Sequence, residues 1–395
     1  MQLRASITLA VATVLLIAAC SSGSTPSEAP TAMPTEAPPT AAPRPAPSIA
    51  KADLKIAVVT DVGTVDDKNF NQYSFEGAKA GAADIGAPVP QVVVPADASQ
   101  YAPSIQGFLD QGYNMIVTVG FNLETDTLKA AEANPDVWFI GVDQSACIDA
   151  YAAPDSTFTC AGDPRQLLPN FVGLQYQEDQ AGYLAGIVAA SISQNASVGA
   201  IGGINSVPAV VRYIQGYELG AKSVNANIKV TTAYVSTSDF TVAFNDPGSG
   251  KTFAQQFIQQ NSPDVLFQVA GKTGNGVLEA ACAAGIYGIG VDVDQWLSLG
   301  ADTNTTYNCI VTSAEKHLAT SVEQTINTIA AGTALQQGAD GALHFNATND
   351  GIGVSPEHDG KGLITPDIQS KLDAALQGMK DGSLQTCPTK CGTAQ

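Results

Sequence analysis

The sequence is poor in positive charge. Of its 395 residues only 18 are Lys or Arg, against 37 Asp or Glu, for a net charge of −19. A nucleic-acid binder needs a basic face to displace counterions, and adhesion to an anionic membrane surface needs one too; the composition argues against both. Charge of either sign is sparse, at 14% of residues, where soluble domains carry about 25%. The three histidines, His317, His344 and His358, show no H-E-x-x-H spacing, which excludes that class of zinc hydrolase. No G-x-S-x-G nucleophile elbow occurs. Tryptophan is confined to Trp138 and Trp296. The apolar stretch from Ile7 to Ala19 is shorter than the about 20 residues a spanning helix needs. What the chain does have is 45% apolar residues, enough for real cores, and a length suited to two or three domains.

Arg4 followed by the stretch 7–19 reads as a signal peptide over residues 1–19. It ends in Ile17-Ala18-Ala19-Cys20, small residues before a cysteine, which resembles the lipobox of bacterial lipoproteins. That resemblance implies cleavage before Cys20, acylation of its sulfur, and a lipid-anchored extracytoplasmic protein. Residues 20–50 then read as a tether. Eight prolines fall between Ser21 and Ala50, among Ala, Thr and Ser, too little apolar surface to offset ordering entropy and favouring extended polyproline II. Arg4 and Arg44 balance Glu28 and Glu36 there, so the whole negative charge belongs to the body. Of the seven cysteines, six remain beyond Cys20, an even number that in an exported chain suggests pairing. Proximity favours Cys147 with Cys160 and Cys387 with Cys391, which leaves Cys282 with Cys309. No metal site and no cofactor is expected.

The body alternates apolar β-rich runs with helical stretches. Strands are expected at 54–59, 91–95, 114–119 and 137–142, with helices at 73–84, 101–111 and 123–133 between them. The pattern then repeats: helix 177–193, strand 198–201, helix 207–225, strand 229–235, helix 250–260, strand 264–270, helix 274–284 and strand 287–291. Such continuous apolar strands belong to parallel sheets covered on both faces. Two sets of βα units predict an α/β chain of two doubly wound parallel-sheet lobes joined by a hinge. Ligands bind such sheets beyond the carboxyl ends of the strands. The polar residues there are Asp61 with Asp66, Asp67, Asn69, Phe70 and Asn71; Gly120-Phe121; Asp143; Gly202-Gly203; Phe244 and Asp246; Gly271–Gly274; and Asp292 with Asp294-Gln295. Any one Asp at such a place is more often a helix cap or turn; their recurrence at strand ends in both halves points to a cleft. Nucleotide motifs fail. Gly271-Lys272-Thr273 ends like a P-loop, but the glycine needed five residues earlier is Leu266. Gly199-Ala-Ile-Gly202-Gly203 is not G-x-G-x-x-G. A nucleotide-cofactor oxidoreductase is the remote alternative, which bound flavin or NAD would revive.

The run Val58-Val-Thr-Asp61-Val-Gly63-Thr-Val-Asp66-Asp67-Lys-Asn69-Phe70-Asn71, leading to Glu76-Gly77, resembles the opening signature of the basic membrane protein family. These are lipoprotein substrate-binding subunits of ABC transporters, similar to purine nucleoside receptors. Further matches are Gly182-Tyr-Leu-Ala-Gly186, Gly216-Tyr217 with Gly220, Phe244-Asn-Asp246-Pro, Ala270-Gly271 with Gly274, Gly290-Val-Asp292-Val-Asp294-Gln295, and Thr312-Ser313 with Lys316. The resemblance covers about residues 54–353 and implies the type I periplasmic-binding architecture, with the chain crossing between lobes three times. Accordingly 53–173 plus about 313–340 should form the N-terminal lobe and 174–312 plus about 341–385 the C-terminal lobe. It implies a receptor and not an enzyme, which captures a nucleoside, a purine by resemblance, and hands it to ABC permease subunits. Phe70 and Phe244 would sandwich the base, since stacking is worth about 1–3 kcal/mol per base. A carboxylate only accepts hydrogen bonds, so Asp292 suits the ribose diol. Asp61 and Asn71 suit the base edge, Lys316 a ribose oxygen, Asp143 a strand-end position in the first lobe, and Gly271 the Gly-rich turn. The sequence departs from the family at Lys272, at Tyr213 where Phe is expected, and at the long segment 144–170. The competing reading is a sugar or autoinducer receptor on the same fold, for which Trp296 would be the stacking ring.

Overall fold

The computed structural model describes residues 45–146 and 163–393. The proposed signal peptide, Cys20, most of the tether, Cys147 and Cys160 lie outside the described residues. The tether's last residues already belong to the body: Trp138 Nε1 donates to Pro47 O at 3.2 Å, and Ile49 packs on the core.

The first lobe is built from β1 (Ile56–Thr60), α1 (Phe70–Ile85), β2 (Gln91–Val93), α2 (Tyr101–Asp110), β3 (Met115–Val119), α3 (Glu124–Ala133), β4 (Trp138–Val142), α4 (Pro164–Leu167) and β5 (Phe171–Tyr176). The second follows as α5 (Glu178–Ile192), β6 (Ser197–Gly202), α6 (Pro208–Val224), β7 (Lys229–Tyr234), α7 (Phe240–Phe244), α8 (Pro247–Asn261), β8 (Val265–Val269), α9 (Gly271–Ala283), β9 (Tyr287–Asp292), α10 (Gln295–Ser298) and β10 (Ile310–Lys316). The chain ends with α11 (Leu318–Ala330), β11 (Ala342–Phe345), β12 (Ile352–Val354) and α12 (Pro366–Lys380). Every residue of β1, β3, β4, β5, β6 and β8 is buried, because helices cover both faces of each sheet.

The two sheets have matching topology, β11-β5-β4-β3-β1-β2 and β12-β10-β9-β8-β6-β7. In each, the order reverses beside the lobe's first strand, between β1 and β3 and between β6 and β8, which is where an open α/β sheet leaves a crevice. All pairings are parallel except β12 with β10, a departure from the all-parallel expectation. The other strands end at the crevice rim; β12 enters from β11 at that rim and must run away from it.

The chain crosses between sheets after Tyr176, after Lys316 and after Phe345. The sequence placed these crossings near 173, 312 and 340. Instead β10 stays with the second sheet through Lys316, and β11 adds to the first sheet beside β5. No Gly, Pro or Asx residue marks the first two crossings, so nothing local announced them. The glycine motifs of α5 and α6 act as packing devices. A Cβ on Gly182 or Gly186 would lie 2.1–2.2 Å from the carbonyl oxygens of Tyr213 and Tyr217, and one on Gly216 or Gly220 would lie 2.0 Å from those of Asp179 and Tyr183. Only glycine admits that backbone approach. Cys282 is bonded to Cys309, and Cys387 to Cys391.

Candidate ligand-binding site

A cleft of about 660 Å³, partly open to solvent, lies between the strand-end rims. The first lobe lines it with Asp61, Asp67, Phe70, Asn71, Gly120, Phe121, Asn122 and Asp143; the second with Val207, Val210, Tyr213, Phe244, Gly271, Lys272, Asp292 and Lys316. All eight proposed ligand-binding residues are therefore at one cavity.

Local sequence explains how each is held. Asp143 and Asp292 close the equivalent strands β4 and β9, each after a Gly-Val pair, and both adopt left-handed backbone, φ 58° and 64°. This conformation is tolerated by Asp better than by most residues, and it turns both carboxylates toward the cleft. A glutamine beneath each turn fixes it: Gln144 Nε2 donates to Gly120 O at 2.8 Å, and Gln295 Oε1 accepts from Val291 N at 3.0 Å. Asp61 follows β1 and accepts from Val62 N, and at 3.3 Å from both the backbone and side-chain nitrogens of Asn122. Gly271 is held at φ 51°, in the left-handed region that favours glycine, and a Cβ there would come within 3.3 Å of Phe244 O, so a side chain would strain the turn that backs Phe244.

The centre of the site is Lys316. Its Nζ lies 2.6 Å from Asp143 Oδ2, 3.1 Å from Glu178 Oε1 and 3.9 Å from Asp292 Oδ1. The rings of Phe70, Tyr176 and Tyr213 surround it at 5.1, 5.2 and 5.8 Å, within cation–π range. Burial works against its charge, but the three carboxylates hold the ammonium protonated well above the usual lysine range. Far from a helix-surface lysine, it is 3% exposed. Tyr213 OH donates to Asp292 Oδ1 at 3.2 Å, which a phenylalanine could not do. Burial pushes Asp61 and Asp292 up to about 7, with Asp143 raising both and Lys316 opposing the rise at Asp292. Asp143 is raised by burial against the pull of Lys316. Two acceptor atoms, Asp143 Oδ1 and Asn71 Oδ1, are buried and find no hydrogen-bond partner among the described residues, a costly arrangement unless a ligand donates to them.

Several strand-end carboxylates serve structure instead. Asp67 accepts from the backbone nitrogens of Asn69, Asn71 and Gln72 at the start of α1. Asp246 caps α8 through Ser249 N, and Asp294 caps α10 through Leu297 N. Lys272 reaches across the cleft mouth, donating to Thr64 at 3.1 Å and lying 3.6 Å from Asp66. Trp296 is buried with Leu278, Ala301 and Ile310 and stacks on His358; it is no cleft ring. Trp138 is buried in β4. Sequence reasoning missed Tyr176 and Glu178, which lie at and just beyond the end of β5, a strand it did not mark, and Arg212, which stands on α6 away from any strand end.

The Bmp family, described as ABC transporter substrate-binding protein PnrA-like, matches residues 54–375. The chain belongs to this family. Its members are substrate-binding proteins of ABC transporters and not enzymes. A protein named "ABC transporter nucleoside-binding protein BmpA" from Lactococcus lactis subsp. cremoris is 32% identical over 62% of this chain, and the match spans 65% of that relative's length. The "CD4+ T-cell-stimulating antigen" of Listeria monocytogenes is 27% identical over 84% of this chain and 88% of its own. Among solved structures, an ABC transporter solute-binding protein from Aeropyrum pernix K1 superposes with a TM-score of 0.67 at 21% identity, over 84% of this chain and 92% of that one. The fold is the type I periplasmic-binding architecture.

Proposed function

We propose that this Bmp-family chain captures a purine nucleoside in its interlobe cleft and delivers it to an ABC permease. The observation that carries the reading is the composition of the cleft. One ring from each lobe, Phe70 and Phe244, lines a cavity that also presents Asp61, Asp143 and Asp292 as acceptors. A purine offers two faces to stack, and base–aromatic stacking contributes about 1–3 kcal/mol. A ribose offers hydroxyl donors, which suit Asp292 and the unpartnered Asp143 Oδ1, while Asp61 and Asn71 take the base edge. The name of the Lactococcus relative agrees with this reading. The sugar or autoinducer reading loses its main support, since Trp296 lies outside the cleft lining.

A thermal-shift screen with nucleosides, free bases, pentoses and hexoses tests it. A ligand that binds only the folded chain stabilises it by about 2.7 kcal/mol at a hundredfold excess over Kd. Purine nucleosides should raise Tm and sugars should not; a rise with a pentose or hexose alone contradicts the reading. Lipid anchoring through Cys20 completes the proposal, supported by Ile17-Ala-Ala-Cys20. Labelling of the expressed chain with a fatty-acid analogue, abolished by Cys20→Ser, is the expected result.

A further inference from the structure

Behind the cleft, the charges continue away from the ligand. Glu178, fully buried at the first residue of α5, lies between Lys316 Nζ at 3.1 Å and Arg212 Nε at 2.6 Å. Arg212 stands on α6, with its side chain 11% exposed. Burial disfavours the Glu178 carboxylate, but Arg212 and Lys316 together hold it below the usual range. The far side of Arg212 is covered by the C-terminal segment. Gly392 is buried, and a Cβ there would lie 3.3 Å from Arg212 Cγ and 3.4 Å from Nη1. Gln215, one turn along α6 from Arg212, accepts from Gly392 N at 2.8 Å and donates to Thr393 O at 2.9 Å. Thr386 Oγ1 donates to Asp179, the neighbour of Glu178. The Cys387–Cys391 bond closes the intervening loop. This segment lies beyond residue 375, where the family match ends.

We propose that Glu178 and Arg212 are positioning residues of the ligand site, and that the Cys387–Cys391 loop is the clamp that keeps Arg212 on Glu178. The physical logic is one of charge allocation. Lys316 faces three carboxylates: Asp143, Glu178 and Asp292. With Arg212 in place, Glu178 is already neutralised, and the ammonium is free to lie on Asp143 at 2.6 Å and near Asp292 at 3.9 Å. Without Arg212, Glu178 is the buried charge with the greatest need of a cation, and Lys316 turns toward it, leaving Asp143 and Asp292 mutually repelling across the cleft. The clamp acts on the site through Arg212, against which Gly392 is packed.

The assignment presupposes the nucleoside reading only for its affinity readout. Adenosine, guanosine and inosine are titrated calorimetrically into the full chain and into Arg212→Met, Arg212→Lys, Gln215→Ala and the Cys387→Ser/Cys391→Ser double variant. Arg212→Met should weaken binding at least tenfold, and Arg212→Lys should recover most of the loss. Gln215→Ala and the double cysteine variant should each weaken it three- to tenfold. Loosening the clamp in the Arg212→Met background should cost nothing further, because sites acting through one group are not additive. Equal affinity in Arg212→Met, or a clamp effect that adds in full to it, overturns the proposal. A crystal structure of Arg212→Met without ligand gives the second readout. Lys316 Nζ should leave Asp143 and approach Glu178; an ammonium still seated on Asp143 overturns the proposal whether or not any nucleoside binds. If Arg212→Met does not fold, the same structural comparison is made on the double cysteine variant. A wild-type chain that binds no nucleoside, with Lys316 displaced as described in the variant, refutes the ligand reading and leaves this one standing.

Discussion

Lys316, at the end of β10 in the second lobe, places its ammonium 2.6 Å from Asp143 Oδ2, at the end of β4 in the first. This charge pair joins the two lobes across the cleft through groups proposed to meet the ligand. Removing one partner of a buried pair costs about 3–5 kcal/mol, because the other charge stays buried and uncompensated. Lys316→Met should therefore lower Tm by about 4–7 °C and abolish ligand binding. Thermal unfolding followed by circular dichroism checks the first part; a Tm unchanged from wild type would mean the carboxylates find another counter-charge.

Stacking and ribose recognition separate by mutation. Phe70→Ala removes a contact common to all purines and should weaken ribo- and deoxyribonucleosides alike, by about 1–3 kcal/mol. Asp292→Ala should act selectively. If Asp292 accepts from the ribose hydroxyls, wild type binds a 2′-deoxynucleoside about tenfold or more weakly than the ribonucleoside. In Asp292→Ala that ratio should fall toward one. Competition dialysis with paired nucleosides measures it; a preserved ratio places the ribose elsewhere.

Phosphate should be excluded. Asp61, Asp143 and Asp292 line the cleft, while Lys316 is held by three carboxylates and Lys272 by Thr64 and Asp66. Among the described residues that line the cleft, neither cation is left to receive a phosphate. A nucleoside should bind at least tenfold more tightly than its 5′-monophosphate, about 1.4 kcal/mol. Equal affinities in parallel titrations would show that Lys272 leaves Asp66 for the ligand.

The pH dependence has a definite sign. Asp61 and Asp292 are pushed up to about 7 by burial, as is Glu315 on β10. Their unfolded values lie near 4, so between about pH 4 and 7 the folded state holds more protons. Stability of the unliganded chain must fall as pH rises through that window and level off above it. Asp61→Asn should flatten part of the slope in a Tm-against-pH series. Hydroxyl donors favour the ionised carboxylate, so nucleoside affinity should run the other way and rise through about pH 7. An affinity that falls over that range would mean the ligand needs protonated Asp61 or Asp292.

Much of the fold was legible because its signals are local. Apolar runs such as Ile56–Thr60 and Met115–Val119 recur between helices, and their spacing is enough for two βα lobes. The rims followed from strand ends, and Asp61, Asp143 and Asp292 do line the cleft. Asp246 and Asp294 have the same placement but cap helices, and Asp67, though it lines the cleft, spends its carboxylate on the backbone at the start of α1; the difference lies in where the following backbone nitrogens point, which residue order does not reveal. The buried pairing of Lys316 with Glu178 and Arg212 was illegible for another reason. It joins three residues of the second lobe that lie far apart in sequence, and only the packing of α5 against α6 and β10 brings them together.

The central claim is tested most directly by titrating guanosine, adenosine and inosine, and in the same series D-ribose and D-glucose, into the folded chain in a calorimeter. The account predicts saturable one-site heat from at least one purine nucleoside, with none from either sugar. Saturable binding of a sugar with no heat from any nucleoside would contradict it.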